Sequence, residues 1–285
     1  MKLEDEDIVV SLNDGLRFGM VQGRLIRPPL GQLQWFPQDH WESEFFLAAA
    51  LGIDYIELIA ERSHNPDNPL WSDDGIGRIK SLVERNKLSA HAFCNDYIVD
   101  NALPGSDQVL EQNLCLIERG ALLGCEKYIL PLFEHSELTI ENVQEYLRPL
   151  RIIADKAAES GITVCLETIL DGPQLIKVLD QIDHPAVSVV YDTGNRVAFR
   201  HDLPGDIRLL GSRICHVHIK DKSAANENVI LGTGLVNFLQ VFEALGDIGY
   251  NGPYTFETHR GRNPLRTAAY NMGLVKFFYA EGFSR

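Results

Sequence analysis

Basic residues are scarce relative to acidic ones. The 285-residue chain has 26 Lys+Arg against 40 Asp+Glu, a formal net charge of −14. Such a chain repels phosphate backbones on average, which argues against general nucleic-acid binding, though not against a local basic pocket. Cysteine is also sparse. Cys94, Cys115, Cys125, Cys165 and Cys215 are odd in number and scattered, with no C-x-x-C spacing. They read as small buried thiols of a reducing compartment and not as a disulfide framework. No apolar run approaches the ~18 residues of a membrane span. The opening "MKLEDEDIVV" is acidic before any apolar stretch, unlike a signal peptide. These absences set the expectation of a cytoplasmic protein with no membrane and no nucleic-acid partner. Self-association is left open.

A glycine-rich G-x-G-x-x-G turn is missing too. After the first apolar run the chain reads "MVQGRLIRPP", which argues against a doubly wound dinucleotide-binding sheet. What is present is a regular alternation of short β-rich runs with helical patterns. The runs are 16–23, 55–60, 88–93, 127–133, 162–168, 187–194, 214–221 and 254–259. Between them lie amphipathic stretches such as "TIENVQEYLRPLRIIADKAAES", with Thr139 and Asn142 as caps and Gly161 as a stop. About eight β–α units with no low-complexity linker predict a single-domain (β/α)8 TIM barrel over 1–285, an α/β fold, with 1–15 as an acidic N-terminal extension. Two connections, 23–41 and 60–75, are longer than a β–α turn needs. Both follow a strand, so both are expected at the C-terminal face, flanking the site, with Trp35 or Trp71 near the pocket.

Alternate side chains of a strand share a face, and one face of a barrel strand meets the axis. In "ICHVHIKD", Cys215, Val217 and Ile219 suit the helix side, so His216, His218 and Lys220 point inward. The same count turns Cys165 and Glu167 of "ITVCLET" inward, Val190 and Asp192 of "VSVVYDTG", and Thr255, Glu257 and His259 of "YTFETH". Glu57 and His91 face in by the same argument. Four late strands thus each deliver an ionisable group near their C-terminal ends: Glu167, Asp192, His218 and Glu257. Burying three carboxylates around one axis is costly unless a cation sits among them. Lys220 is one candidate, in a lysine-centred ion-pair network. A divalent metal ion (Mn²⁺, Mg²⁺, Co²⁺ or Zn²⁺) is a better one, and Glu/Asp/His/Glu is a sound ligand set for it. His216, deeper on its strand, reads as a packed or supporting histidine.

The motifs "CLET", "YDTGN", "HVHIKD", "GTGLVNF" and "YTFET", in this order and each on its own strand or the turn after it, resemble the xylose-isomerase-like TIM-barrel superfamily of sugar isomerases and epimerases. The likeness runs from "LGIDYIEL" to "GYNGPYTFE". Within the superfamily it is greatest to L-ribulose/L-xylulose 5-phosphate 3-epimerases. The resemblance implies that Glu167, Asp192, His218 and Glu257 bind the metal, with the two glutamates as acid and base. Several members carry a histidine three residues after the aspartate; here that place is Asn195.

The implied chemistry is proton abstraction next to a carbonyl of a ketose or ketose phosphate, through an enediolate. Lys220, His91, Glu57, Asn195, Arg24 and Arg260 are candidate substrate contacts, with Arg24, Arg260 and Arg262 as phosphate partners. A dehydratase of inosose or dehydroshikimate type uses the same shell and differs in expelling a hydroxyl. A non-catalytic sugar-binding barrel is the alternative of another class. Abasic-site endonucleases need extra histidines that Asn195 and "KSAANENVILGTG" do not supply.

Overall fold

Eight short parallel strands pair in chain order, and the last closes on the first to form a barrel. They are β1 (Phe18–Val21), β2 (Tyr55–Ala60), β3 (Ala92–Asn95), β4 (Lys127–Pro131), β5 (Thr163–Glu167), β6 (Val187–Asp192), β7 (Ile214–Ile219) and β8 (Tyr254–Phe256). Closure is made by Phe18, Gly19 and Met20 of β1 in register with Tyr254, Thr255 and Phe256 of β8. The computed structural model describes residues 15–29 and 32–283. The acidic extension expected at 1–15 lies outside the described residues, Gly15 apart.

Helices follow the strands because the intervening sequence is amphipathic and capped. In Asp73–Asn86 the buried residues Ile76, Ile79 and Leu82 recur at helical spacing, and the Ser72 side chain accepts from the backbone N–H of Gly75. Asp171 and Gln174 form a reciprocal capping box on Gly172–Ile182. Each apolar side chain sealed between strand and helix contributes about 1.5–3 kcal/mol, and such residues run continuously around the barrel.

The barrel interior is layered. At the N-terminal end the Tyr55 ring lies across Gly19, where any Cβ would stand 2.2 Å from the ring. Its hydroxyl meets Thr255 Oγ1. Glu57 and His216 form the next layer, and Glu167, Asp192, His218 and Glu257 the one nearest the C-terminal mouth.

Two expectations are corrected. The third strand begins at Ala92 rather than at 88, because residues 84–88 are still closing the preceding helix. Lys87 takes a left-handed φ of 55° and Leu88 N–H bonds back to Val83. Cys215 does not face the helices. The β6–β7 pairing shifts between Val189 and Val190, which oppose Ile214 and His216, so Cys215 is the extra residue of a bulge. Its Sγ lies 3.0 Å from Sγ of Cys165.

Candidate active site

The four residues that strand alternation turns inward near the mouth converge. Glu167 ends β5, Asp192 ends β6, His218 is the penultimate residue of β7, and Glu257 follows β8 directly. One oxygen or ring nitrogen from each lies within 4.8 Å of the others. Glu167, Asp192 and His218 are buried and Glu257 is half-buried. The neighbouring cations do not serve all three carboxylates. Lys220 Nζ lies 2.9 Å from Glu257 Oε2 and 3.5 Å from Asp192 Oδ2. Glu167 instead accepts a 2.8 Å hydrogen bond from the Asn195 amide. Burial, with Glu257 and Asp192 nearby, pushes the Glu167 carboxyl up to about 8. Glu257 is also pushed up by burial, but Lys220, His218 and Arg24 outweigh that and hold it well below the usual carboxylate range.

A charge-rich layer lies beneath. Glu57 is fully buried, with His216 Nε2 at 2.9 Å and His218 Nε2 at 3.1 Å. Burial alone would raise its pKa, yet the two imidazoles bring it down to about 2. An ionised carboxylate only accepts, so both Nε2 atoms carry hydrogen. Nδ1 of His218 has no hydrogen-bond partner in the described residues and faces Glu257 at 3.5 Å and Asp192 at 4.0 Å. A histidine fixed at one nitrogen by a buried carboxylate, with its other nitrogen among three carboxylates, is the donor set expected of a metal ligand. The residues therefore fit a divalent cation.

The group opens into a cavity of about 660 Å³ at the C-terminal face, lined also by Cys94, Asp96, Asn195, Lys220 and Lys222. Both long connections reach it, through Gln32 and Gln34 of the first and Arg62 of the second. Neither expected tryptophan does. Trp35 borders an adjoining cavity that shares Gln32, Gln34, Arg62 and Asp96 with it, so it lies near the pocket without lining it, and Trp71 packs on His64. The first connection is pinned by Glu44, which no strand or motif argument singles out. This buried carboxylate accepts from the backbone N–H of Gly23 at 2.7 Å and of Leu25 at 3.1 Å.

Several expected substrate contacts lie elsewhere. His91 borders a cavity at the opposite end of the barrel, stacked on His216. It precedes β3 because that strand starts late, and Cys94 and Asp96 reach the catalytic-face cavity instead. Arg24 is buried and spent on Gln34, Glu257 and the Thr258 carbonyl. Arg260 is buried and donates to the Gly23 carbonyl. Arg27 donates to the Arg262 carbonyl, and Arg262 does not line the cavity. Glu57 lines the cavity floor but is held by the two histidines. Lys220 and Asn195 are where the sequence put them.

Residues 45–276 match the family described as xylose isomerase-like TIM barrel. Among curated proteins, the L-ribulose-5-phosphate 3-epimerase UlaE of Escherichia coli (strain ATCC 8739) is 26% identical over 234 residues, covering 76% of this chain and 81% of that protein. The protein of the same name from Salmonella heidelberg (strain SL476) is 23% identical over 253 residues, 83% of this chain and 89% of that one. Among solved structures, D-psicose 3-epimerase from Clostridium cellulolyticum H10 superposes with a TM-score of 0.73 at 18% identity, covering 93% and 99% of the two chains. An L-ribulose 3-epimerase superposes at 0.69 and 20%, covering 94% and 95%.

Proposed function

The chain belongs to the xylose isomerase-like TIM-barrel family, and from that premise we propose that it is a divalent-metal-dependent ketose 3-epimerase. The observation that carries this reading is the convergence of Glu167, Asp192, His218 and Glu257, of which Glu167, His218 and Glu257 line the floor of one cavity with the buried Asp192 beside them. The named activities of its relatives support it.

Those four residues would hold the metal, which when bound supplies a Lewis acid beside the sugar carbonyl. The protein's own work is to move one proton. Glu167 and Glu257 come from β5 and β8, on different sides of the barrel, so the carbon next to the carbonyl can present one face to each. One carboxylate removes the proton from its face and the other returns a proton to the opposite face, which inverts that carbon. The Asn195 amide, bonded to Glu167, keeps that carboxyl aimed at the cavity. Lys220 steadies Glu257 and Asp192 and balances charge at the floor.

The test is incubation of the Mn²⁺-loaded protein with L-ribulose 5-phosphate and with L-ribulose in D2O, followed by NMR. The reading expects deuterium at C3 together with inversion there. Loss of a hydroxyl instead would identify a dehydratase. Absence of exchange at any carbon, across a panel of ketoses and ketose phosphates, would leave a sugar-binding barrel.

A further inference from the structure

Two thiols meet toward the N-terminal end of the barrel. Cys165 on β5 is fully buried and Cys215 on β7 is half-buried. Their Sγ atoms stand 3.0 Å apart, about 1 Å farther than a bonded pair, so no atom lies between them. The intervening strand β6 does not keep them apart. Its residue in register with Cys165 is the small Ser188, and Cys215 is the extra residue of the β6–β7 bulge. A bulged residue is left out of the ladder, so closing that gap does not require the sheet to unpair.

The pair is open from one side. A cavity of about 370 Å³, at the end of the barrel away from the carboxylate cluster, is lined by Arg17, Lys127, Gly211, Ser212, Cys215 and Tyr250. It reaches Cys215 and not Cys165, so a reagent entering there meets one thiol first. That thiol is also the one its surroundings activate. A hydrogen bond from the Cys165 S–H, helped by Lys127 and Ser188, outweighs burial and holds the Cys215 thiol below its usual value. Burial, with Glu126 beside it, does the opposite to Cys125, which is pushed up to about 12. The thiolate is the reactive form of cysteine, and here a second thiol stands against it.

We propose that Cys165 and Cys215 form a site of reversible oxidation by a hydroperoxide, in which Cys215 is the attacking sulfur and Cys165 the resolving one. The Cys215 sulfur bonds to one peroxide oxygen as the O–O bond breaks. The hydroxide that leaves takes up the proton given up by the Cys215 thiol and departs as water. The Cys165 sulfur then attacks the sulfur of the Cys215 sulfenic acid. The S–S bond forms, the S–O bond breaks, and the oxygen leaves with the Cys165 proton as a second water. Two thiols are oxidised to one disulfide and one peroxide is reduced to two waters. The bond ties β5 to β7, two residues before Glu167 on one strand and three before His218 on the other. The site stands whether or not the chain is an epimerase.

The experiment treats the folded full-length protein, in redox-inert Mg²⁺, with hydrogen peroxide, blocks remaining thiols with N-ethylmaleimide in urea, and maps unreduced tryptic peptides by mass spectrometry. The peptides bearing Cys165 and Cys215 are expected joined, with two fewer blockable thiols, and dithiothreitol should reverse both changes. Cys215 should be consumed at least tenfold faster than the buried Cys125. In Cys165→Ser, folded by circular dichroism, the reaction should stop at a sulfenic acid on Cys215 that dimedone traps. Joined peptides absent at a peroxide dose that already oxidises the exposed Cys115 overturn the proposal, as do joined peptides that form only when peroxide is added in urea. These two outcomes are read from the wild type and need no variant to fold. Dimedone trapped on Cys165 in Cys215→Ser, at the rate seen for Cys215, overturns the assignment of the attacking sulfur.

Discussion

Glu57 and His218 form a buried pair in which the carboxylate stands 3.1 Å from Nε2 and leaves Nδ1 turned toward Asp192 and Glu257. The pair fixes Nε2 as the nitrogen bonded to Glu57 and turns Nδ1 to the cluster, where the neighbouring carboxylates outweigh burial and raise the ring's pKa well above the usual imidazole value; a bound metal would take the place of the Nδ1 proton.

The first prediction follows from that pairing. Glu57→Gln keeps the shape but removes the charge that holds Nε2–H on His218. An amide can present its NH₂ to the ring and favour the wrong tautomer. Mn²⁺ affinity is expected to fall about 10–100-fold, the usual scale for losing such a partner. Electron paramagnetic resonance of free Mn²⁺ reads this directly, with circular dichroism to confirm folding. An unchanged affinity in a folded variant would mean that Glu57 serves only the charge balance of the core.

The second concerns the ion itself. Protein stripped with EDTA and dialysed should take up close to one equivalent of Mn²⁺ or Co²⁺, and its thermal midpoint should rise with metal concentration, because binding to the folded state alone adds RT ln(1 + [M]/Kd). Asp192→Ala should abolish both effects. Asp192 also accepts from the Asn195 backbone N–H at 2.6 Å as a helix cap, so some metal-independent loss of about 1 kcal/mol is expected as well. If stripped protein regains no metal, Lys220 with Arg24 is the cation among these carboxylates, and the site is an ion-pair network.

Much of this arrangement was legible in the sequence because strand periodicity is strict. A period of two, applied to "CLET", "YDTG", "HVHIKD" and "TFET", carried Glu167, Asp192, His218 and Glu257 to one end of the barrel, and their donor atoms do meet there. The same rule failed wherever the strand was not regular. Cys215 sits at a bulge, which shifts the period by one. His91 does turn inward, onto Tyr55 and His216, but its strand begins four residues late and the ring lies at the far end of the barrel from the cluster. The arginines failed for another reason. Nothing in a local pattern reveals that Arg24 finds Glu257, 233 residues away, or that Arg260 finds the Gly23 carbonyl.

The third prediction concerns acid stability. His91 is buried, stacked near Tyr55 and His216, and burial lowers its pKa to about 3 from 6.5. Glu126 stands 3.2 Å from its Nδ1, but that carboxylate is largely solvated and does not offset the burial. Below pH 6.5 the unfolded chain binds a proton that the folded chain refuses. Stability from this residue is therefore complete above about 6.5 and falls as the pH drops toward 3, with a slope approaching about 1.4 kcal/mol per pH unit. His91→Phe removes that proton from the balance. Urea midpoints of the two proteins at pH 7, 6 and 5 should show the wild type losing more stability on acidification, by about one proton's worth. Parallel losses would place His91 as a charged, solvated ring.

The last prediction addresses the two glutamates. Glutamine at 167 or 257 removes a base and roughly keeps the shape. It also weakens a ligand, so metal content has to be measured beside the rate. In protein that retains its metal, each change should lower epimerisation by about 10²-fold or more, the scale of a single positioned base. Their effects should differ in kind. Each carboxylate serves one face of the carbon, so Glu167→Gln should still exchange the proton on the face that Glu257 serves, and Glu257→Gln the reverse, when C3 epimers are supplied separately in D2O. Exchange without inversion, starting from opposite epimers in the two variants, is the signature of two bases. A one-base enzyme would instead tolerate one of the two changes with modest loss. Two metal-loaded variants that both keep near wild-type rates would take the proton transfer away from these residues altogether.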